Sequence, residues 1–101
     1  MSTYCVYIIE CQNGTLYTGI TTDLTKRYAA HCQGTGAHYT KSFPPKALLI
    51  AWEIIGGRSE AQRTEHHIKR LSRIKKNALI KDPHPLKHPL TLAHANKIIY
   101  P

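Results

Sequence analysis

A short segment near the N-terminus has the pattern of a β-hairpin, and it constrains the fold more than any other part of the chain. Residues 4–11 are rich in β-branched and aromatic residues, and residues 16–21 form a second run of this kind. Between them, Asn13 and Gly14 provide a dipeptide that strongly indicates a tight turn. We therefore expect two antiparallel strands joined by a short loop.

Two registers are open to this hairpin, and they place its tyrosines differently. A two-residue turn would leave Tyr7 and Tyr17 on opposite faces of the sheet. A three-residue loop with Gly14 in a left-handed bulge would pair Tyr7 with Gly19 and put both tyrosines on one face, because a slip of one residue turns every side chain over. We favour the second register, in which Gly19 leaves open space beside the Tyr7 ring and clears the floor of a pocket.

A helix and a long loop are predicted after the hairpin. Thr22 or Asp23 can cap a helix that runs to about Gln33. Gly34 suits the left-handed position that ends such a helix. The segment 34–46 is rich in Gly, Thr and Pro, so we expect it to be a loop.

The second half of the chain begins with an apolar run and continues as helices. Residues 47–55 lie between Pro-Pro and Gly-Gly, and their length favours a central buried strand over a helix. Ser59 and Gln62 form a capping box for one helix, and a second helical stretch covers about 72–81. The order β-β-α-β-α-α predicts an α+β (mixed α/β) fold, a small three-stranded sheet with helices packed on it.

Size and composition indicate one globular domain. The chain has 101 residues, of which 42% are hydrophobic and 20% charged, enough for a single modest core. We expect the domain to cover residues 1–82, followed by a tail over 83–101 in which prolines and histidines leave an irregular wrap or partial disorder. No apolar run suffices for a membrane span and the N-terminus lacks a secretory signal, so we expect a cytoplasmic protein with no membrane partner.

The cysteines indicate a reducing environment. The chain has an odd number of cysteines, and no two of them form a CxxC pair: they are Cys5, Cys11 and Cys32. This usage favours free thiols over disulfides. A structural zinc site is also disfavoured, because such sites need four ligands at close paired spacings.

The chain is strongly basic, and the excess is concentrated in one segment. Lys and Arg number 14 against 6 Asp and Glu, a formal net charge of +8. Residues 58–81 carry eight of the basic residues, against only Glu60 and Glu65. Such a stripe is typical of a polyanion partner, because neutralised phosphates release their counterions. A solvated helix face kept soluble by its charge is the alternative interpretation.

Five residues in a fixed order resemble the GIY-YIG nuclease superfamily. The tripeptide that ends at Tyr7 and the one that begins at Tyr17 are similar to the two tripeptides that name it. Arg27 and His31 on the first helix and Glu65 on a later helix stand where the superfamily has further site residues. Ten residues lead from the first tyrosine to the second and ten more to the arginine, which makes the ordered set specific.

The resemblance is to the small single-domain bacterial branch, covers about residues 3–81 and includes departures. Cys5 and Val6 stand where the first tripeptide has Gly and Ile, and Thr18 replaces Ile in the second. Both tyrosines and Gly19 are kept. The substitutions therefore leave the residues that would carry chemistry intact.

This resemblance implies a metal-dependent endonuclease that hydrolyses DNA phosphodiester bonds, with RNA as an open alternative substrate. Glu65 would hold one Mg²⁺ (or Mn²⁺) by a single carboxylate, as is usual beside phosphates. Arg27 and His31 are four residues apart and share a helix face, and the arginine fork suits a phosphate. Tyr7, its pKa lowered by nearby positive charge, would be the general base, although the sequence leaves this role open between Tyr7 and His31. Tyr17 would orient the water or contact the phosphate.

Further residues are expected to contact the nucleic acid. An aromatic side chain in a loop can stack on a base, and basic side chains neutralise phosphates. The chain has no obvious added module for sequence recognition, so we expect selection by nucleic-acid structure or targeting by a partner. The expected contact residues are Gly19, Lys26, His38, Tyr39, Lys41, Lys69, Arg73, Lys76 and Asn77.

Other functions stay open beside the nuclease. A non-catalytic nucleic-acid-binding module would keep the fold and the basic helices, and Glu65 would then be a surface ion-pair partner of Lys69. The basic helices could instead bind a protein with an acidic surface. The joint presence of Tyr7, Tyr17 and Arg27 with the glutamate favours the enzyme, because a binding module needs only the basic stripe. The sequence carries no signal of oligomeric state.

Overall fold

An antiparallel sheet with helices on both of its faces makes up the protein. The structure is a computed structural model, and it describes residues 3–54, 56–82 and 90–91. In chain order its elements are β1 (Tyr4–Cys11), β2 (Leu16–Thr21), α1 (Leu24–Gln33), α2 (His38–Ser42), β3 (Pro45–Ile54), α3 (Gly57–Arg70), α4 (Arg73–Lys81) and β4 (Leu90–Thr91).

Three long strands form the body of the sheet and confirm the predicted α+β fold. The strands lie in the order β2-β1-β3-β4, and every neighbouring pair is antiparallel. The two-residue β4 extends the sheet at its edge, where it pairs with Glu53 and Ile54 at the end of β3. Apart from β4, the predicted tail over 83–101 lies outside the described residues, and the division at residue 82 stays a prediction.

The hairpin adopts the register that places both tyrosines on one face. Tyr7 pairs with Gly19 and Ile9 with Tyr17. At the loop, the Cys11 N–H donates to the Thr15 carbonyl at 2.8 Å, and Gly14 has a φ of +85°, the left-handed conformation that glycine adopts at no steric cost. The three-residue loop predicted from the sequence is therefore confirmed.

Residues on β1 alternate between two apolar cores, one on each face of the sheet. Val6 and Ile8 pack with Trp52 of β3 and with apolar residues of α3 and α4. Tyr7 and Ile9 face the other way, into a cluster that includes residues of α1 and β3. Burial on both faces explains why the strand reads as an almost unbroken apolar run.

The caps of α1 agree with the sequence prediction. The Asp23 carboxylate accepts a hydrogen bond from the Lys26 backbone N–H at 3.1 Å, which satisfies one of the free donors of the first turn. Gly34 ends the helix with a φ of +79°. Of the two capping candidates, Asp23 is thus the residue at the N-cap.

Two sequence predictions about helices need correction. The segment predicted as a loop over 34–46 contains the five-residue helix α2, which has no capping side chain at Ala37. Helix α3 begins at Gly57, before the predicted capping box, because Gly56 takes a left-handed φ of +112° that turns the chain directly into the helix. Within the described ranges, no helix has the length and apolar character needed to cross a membrane.

Candidate active site

Tyr7 lies flat over Gly19, at the point where β1 and β2 pair. Its side chain is almost wholly buried, with 1% exposed. A Cβ atom at position 19 would lie 2.6 Å from Tyr7 Cζ and 3.2 Å from Tyr17 Cε2. The expected open pocket floor is therefore wrong, because the Tyr7 ring itself fills the space that the glycine leaves.

His31 of α1 links Tyr7 to α2 by two buried hydrogen bonds. Its Nε2 lies 2.8 Å from Tyr7 Oη, and its Nδ1 lies 2.7 Å from Thr40 Oγ1. Both His31 and Thr40 are fully buried. Gly36 passes so close that a Cβ atom there would lie 2.8 Å from His31 Nδ1. The histidine thus occupies a closed socket.

Burial keeps both partners of the Tyr7–His31 hydrogen bond in their neutral forms. Burial raises the pKa of Tyr7 to about 12, against a smaller opposing effect of Arg27, while Tyr17 and Glu65 raise it further. Burial and the positive charge of Arg27 lower the pKa of His31 to about 4. The lowered pKa expected for Tyr7 is therefore not produced by the protein's own charges.

Arg27 and Glu65 bring opposite charges to Tyr7 from two different helices. Arg27 of α1 is half-buried and acts on the pKa of both Tyr7 and His31. Glu65 of α3 acts on Tyr7 as a negative charge. Of the five residues that the sequence predicted as catalytic, Tyr7, Tyr17 and His31 are therefore in contact, and the charges of the other two act on Tyr7.

An ion pair holds the Glu65 carboxylate. Lys69 Nζ lies 3.3 Å from Glu65 Oε2, one helical turn along α3. The glutamate side chain is 15% exposed and the lysine side chain 50%. This is the ion pair between residues i and i+4 that is expected if Glu65 belongs to a non-catalytic binding module. Its carboxylate, however, is largely buried and not at the surface.

A row of aromatic rings runs from the buried tyrosine to the surface. The Tyr17 ring lies 5.2 Å from the His31 ring and is stacked on Tyr39 at 6.0 Å between centroids. Tyr39 in turn lies 5.1 Å from Phe43, and its hydroxyl is 2.5 Å from Thr15 Oγ1 at the hairpin. The two outer rings are the exposed ones, at 37% for Tyr39 and 39% for Phe43.

The expected nucleic-acid contacts divide between α1, α2 and the later helices. Lys26, on α1 next to Arg27, lines a depression of about 420 Å³ with Asp23. His38 and Lys41 line a second depression, of about 260 Å³, at α2. These three basic side chains are exposed beside the elements that carry the site.

Helix α4 carries three of the expected nucleic-acid contact residues, and two of them already have hydrogen-bond partners. Arg73 Nη1 donates to the Gly14 carbonyl at 2.7 Å, and its Nε donates to Asn77 Oδ1 at 3.3 Å. Lys76 is half-buried. Arg73, itself hydrogen-bonded to Asn77, thus links α4 to the hairpin, a structural role that the sequence did not indicate.

Three residues near the site were missed by the sequence analysis. Thr40 gave no signal, because α2 itself was not predicted. Phe43 was not predicted either, because it lies in the same segment. Gly36 could have been found, since a second glycine just after the helix end is a sign of close backbone approach.

The donor set of the site suits magnesium rather than zinc. In the parts of the chain that the structure describes, no group of three or more His, Cys, Asp or Glu side chains could enclose a metal ion. Glu65 offers one carboxylate, whose charge acts on Tyr7. Because Mg²⁺ commonly uses one or two carboxylates and completes its octahedron with water and phosphate oxygens, this single donor fits it.

The fold is a small α+β domain, and comparison with known proteins identifies its family. The model of the GIY-YIG catalytic domain matches residues 3–77. The chain therefore belongs to the GIY-YIG family, which places it in a nuclease superfamily.

Similar proteins occur in both bacteria and archaea. A UPF0213 protein of Halobacterium salinarum is 50% identical over 74 residues, which cover 73% of this chain and 95% of that protein. A UPF0213 protein of Staphylococcus haemolyticus is 42% identical over 82 residues, covering 81% and 99%. The solution NMR structure of a UPF0213 protein from Bacillus halodurans has 36% identity and a TM-score of 0.50, covering 86% of this chain and 99% of that one. None of these names states a substrate.

Proposed function

We propose that this protein is a divalent-metal-dependent endonuclease that hydrolyses phosphodiester bonds of DNA. One observation carries the proposal: Tyr7 and His31 share a buried hydrogen bond, and the opposite charges of Arg27 and Glu65 both act on Tyr7. A binding module would have no need for a phenol and an imidazole joined in this way. Hydrolysis does, because it must remove a proton from water beside a negative phosphate.

Tyr7 and His31 would act in sequence on the proton of the attacking water. Tyr7 holds its proton at neutral pH, so a stable phenolate is not the base. Its hydroxyl can instead accept a proton from water while it passes its own to His31 Nε2, 2.8 Å away. Both residues then share the role that the sequence left open between them.

Arg27 and Tyr17 would hold the phosphate, and Glu65 would hold the metal. The guanidinium can donate two parallel hydrogen bonds to phosphate oxygens. The Tyr17 ring, packed against His31 and Tyr39, presents its hydroxyl from a fixed position. Mg²⁺ or Mn²⁺ bound at Glu65 would supply positive charge against the phosphate and lower the pKa of water.

The surroundings of the site support a nucleic-acid substrate in a reducing compartment. Lys26, His38 and Lys41 are exposed next to the catalytic elements and can neutralise flanking phosphates. DNA is the proposed partner and RNA is the alternative, with selection by structure or through a targeting protein. The buried free thiols of Cys5 and Cys11 fit a cytoplasmic protein.

One contact favours a second candidate function, a nucleic-acid-binding module without catalysis. The ion pair between Glu65 and Lys69 already satisfies the carboxylate that would hold the metal. If that pair persisted in the presence of Mg²⁺ and DNA, the basic helices would bind without cutting.

The decisive experiment compares two glutamates on the same helix. Purified protein is incubated at low salt with labelled duplex, single-stranded, flap and branched DNA, with Mg²⁺ or Mn²⁺ and in parallel with EDTA. We expect metal-dependent cleavage that Glu65→Gln abolishes while binding is retained. Glu60→Gln is the matched control, because Glu60 lies on α3 but pairs with Arg63 at the surface, at 3.0 Å. Cleavage by Glu65→Gln at the normal rate would refute the assignment, and binding without cleavage by the wild type would favour the second candidate.

A further inference from the structure

We infer that Thr40 is a positioning residue that fixes the tautomer of His31, with the proton on Nδ1 and with Nε2 free to take the proton of Tyr7. Thr40 has no part in the proposed catalysis or in the expected contacts with nucleic acid, although its helix α2 carries three of those contact residues. The contribution of Thr40 to cleavage rests on the proposed function. The tautomer itself does not, since it follows from hydrogen bonds within the folded protein.

The hydrogen bonds around Thr40 determine which nitrogen carries the proton. A threonine hydroxyl has one proton to donate, and the Ala37 carbonyl, 3.3 Å from Thr40 Oγ1, can only accept. With that proton directed to Ala37, Oγ1 is left as an acceptor for His31 Nδ1–H at 2.7 Å. A neutral imidazole has a single N–H, so Nε2 must then accept the hydrogen bond from Tyr7 O–H at 2.8 Å.

The packing around the ring leaves the imidazole little freedom to exchange partners. His31 and Thr40 have no exposed surface. Gly36 also lies against the ring, since a Cβ atom there would come within 3.0 Å of the His31 backbone nitrogen as well as of Nδ1. Among the described residues, Thr40 is the hydrogen-bond partner found for Nδ1. The orientation of the ring therefore depends on this threonine.

The protonation of Nδ1 matters because the proton transfer from water must end on a nitrogen with a free lone pair. In the proposed step an O–H bond of water breaks and a new O–H bond forms on Tyr7, while the original Tyr7 O–H bond breaks and an N–H bond forms at His31 Nε2. The water oxygen bonds to phosphorus and the bond to the leaving oxygen breaks. His31 ends the step as an imidazolium whose Nδ1–H is still held by Thr40, and it returns the extra proton to the leaving oxygen or to solvent. With the opposite tautomer, Nε2 already carries a proton and the transfer from Tyr7 has no acceptor.

The test reads the tautomer directly, by NMR of the imidazole ¹⁵N nuclei, and reads cleavage separately. The His31 signals are assigned by their loss in His31→Gln. We expect the wild type and Thr40→Ser to be protonated at Nδ1, and Thr40→Val, which keeps the shape but removes the acceptor, to shift toward protonation at Nε2. Thr40→Val should also lose about 10²-fold or more in kcat with little change in KM for DNA, and Thr40→Ser should restore most of that loss.

Each outcome decides the inference. A wild-type protein protonated at Nε2 would overturn it without any variant, so the test does not depend on whether Thr40→Val folds. It is equally overturned if a folded Thr40→Val keeps both the wild-type tautomer and the wild-type rate. If no DNA is cleaved by any form of the protein, the proposed nuclease function fails, while the ¹⁵N signals still establish or refute the role of Thr40 at His31.

Discussion

Replacing Gly19 with alanine should destabilise the protein, although alanine is the better residue for most strand positions. In the middle of a strand, glycine is less stable than alanine by roughly 0.5–1 kcal/mol because it loses more backbone freedom on folding. At position 19 the new methyl group would lie 2.6 Å from Tyr7 Cζ, well inside contact distance. Since Tyr7 is 1% exposed and packed in a core, its ring cannot move aside at low cost.

The net effect is set by these two opposing contributions. Overpacking of a core by one methyl group usually costs about 1–3 kcal/mol, which exceeds the gain from reduced backbone freedom. We therefore expect Gly19→Ala to lower the free energy of unfolding by about 1–3 kcal/mol. In a Tyr7→Ala background the new methyl group no longer meets the Tyr7 ring, although Tyr17 Cε2 stays 3.2 Å away, so the loss caused by Gly19→Ala should become much smaller there.

A double-mutant cycle measured by urea denaturation tests whether the cost of Gly19→Ala depends on the Tyr7 ring. The wild type, both single variants and the double variant are compared at one pH, and the slope of the transition is checked for equality. An equal loss of stability on adding the methyl group in both backgrounds would show that the Tyr7 ring is not what closes position 19. The cleavage assay gives a second result, since a displaced Tyr7 hydroxyl should also slow hydrolysis.

Four further variants test charged or titratable side chains in the site and on the helices around it. The pKa of buried His31 is about 4, against 6.5 in the unfolded chain, so the unfolded state binds the extra proton first as the pH falls. About 3 kcal/mol of the free energy of unfolding should therefore be lost between about pH 6.5 and pH 4. This loss should be absent in His31→Gln. Arg73→Ala should lower the free energy of unfolding by about 1 kcal/mol, because α4 loses its hydrogen bond to the hairpin. Lys41→Ala should leave the free energy of unfolding unchanged. It should instead reduce, by about 1, the slope of the logarithm of the DNA-binding constant against the logarithm of salt concentration. Lys69→Met should tighten Mn²⁺ binding up to about fivefold in a calorimetric titration by freeing Glu65, and unchanged affinity would show that the ion pair does not compete with the metal.

The hairpin shows how far local sequence rules reach in this protein. Asn13 and Gly14 indicated the turn, and the position of Gly19 opposite Tyr7 selected the register that the structure confirms. The same glycine also indicated a close approach, but the pattern does not reveal which atoms come close. They belong to the protein's own Tyr7 ring rather than to a ligand, because side-chain rotamers in a core depend on packing from other elements.

The α2 region could not be predicted from local sequence patterns. A five-residue helix is too short to display a periodic pattern, and Ala37 gives no capping signal. Thr40 therefore read as an ordinary loop residue, although it is fully buried against His31. The five proposed catalytic residues were found by their order along the chain, whereas the threonine behind them depends on a contact that only the folded chain creates.

The two parts of the site should open at very different rates, because one lies on the central strand β1 and the other on the short helix α2. Tyr7 lies on a strand that is hydrogen-bonded to β2 on one edge and to β3 on the other, so its amide should exchange with solvent only when the whole domain unfolds. Thr40 lies on a single short helical turn, whose amides should exchange through local opening at far lower cost. Each such opening would break the hydrogen bond between Thr40 and His31 while Tyr7 stays fixed. The correct tautomer of the proton acceptor would then be lost for a short time, whereas the position of the tyrosine would not change.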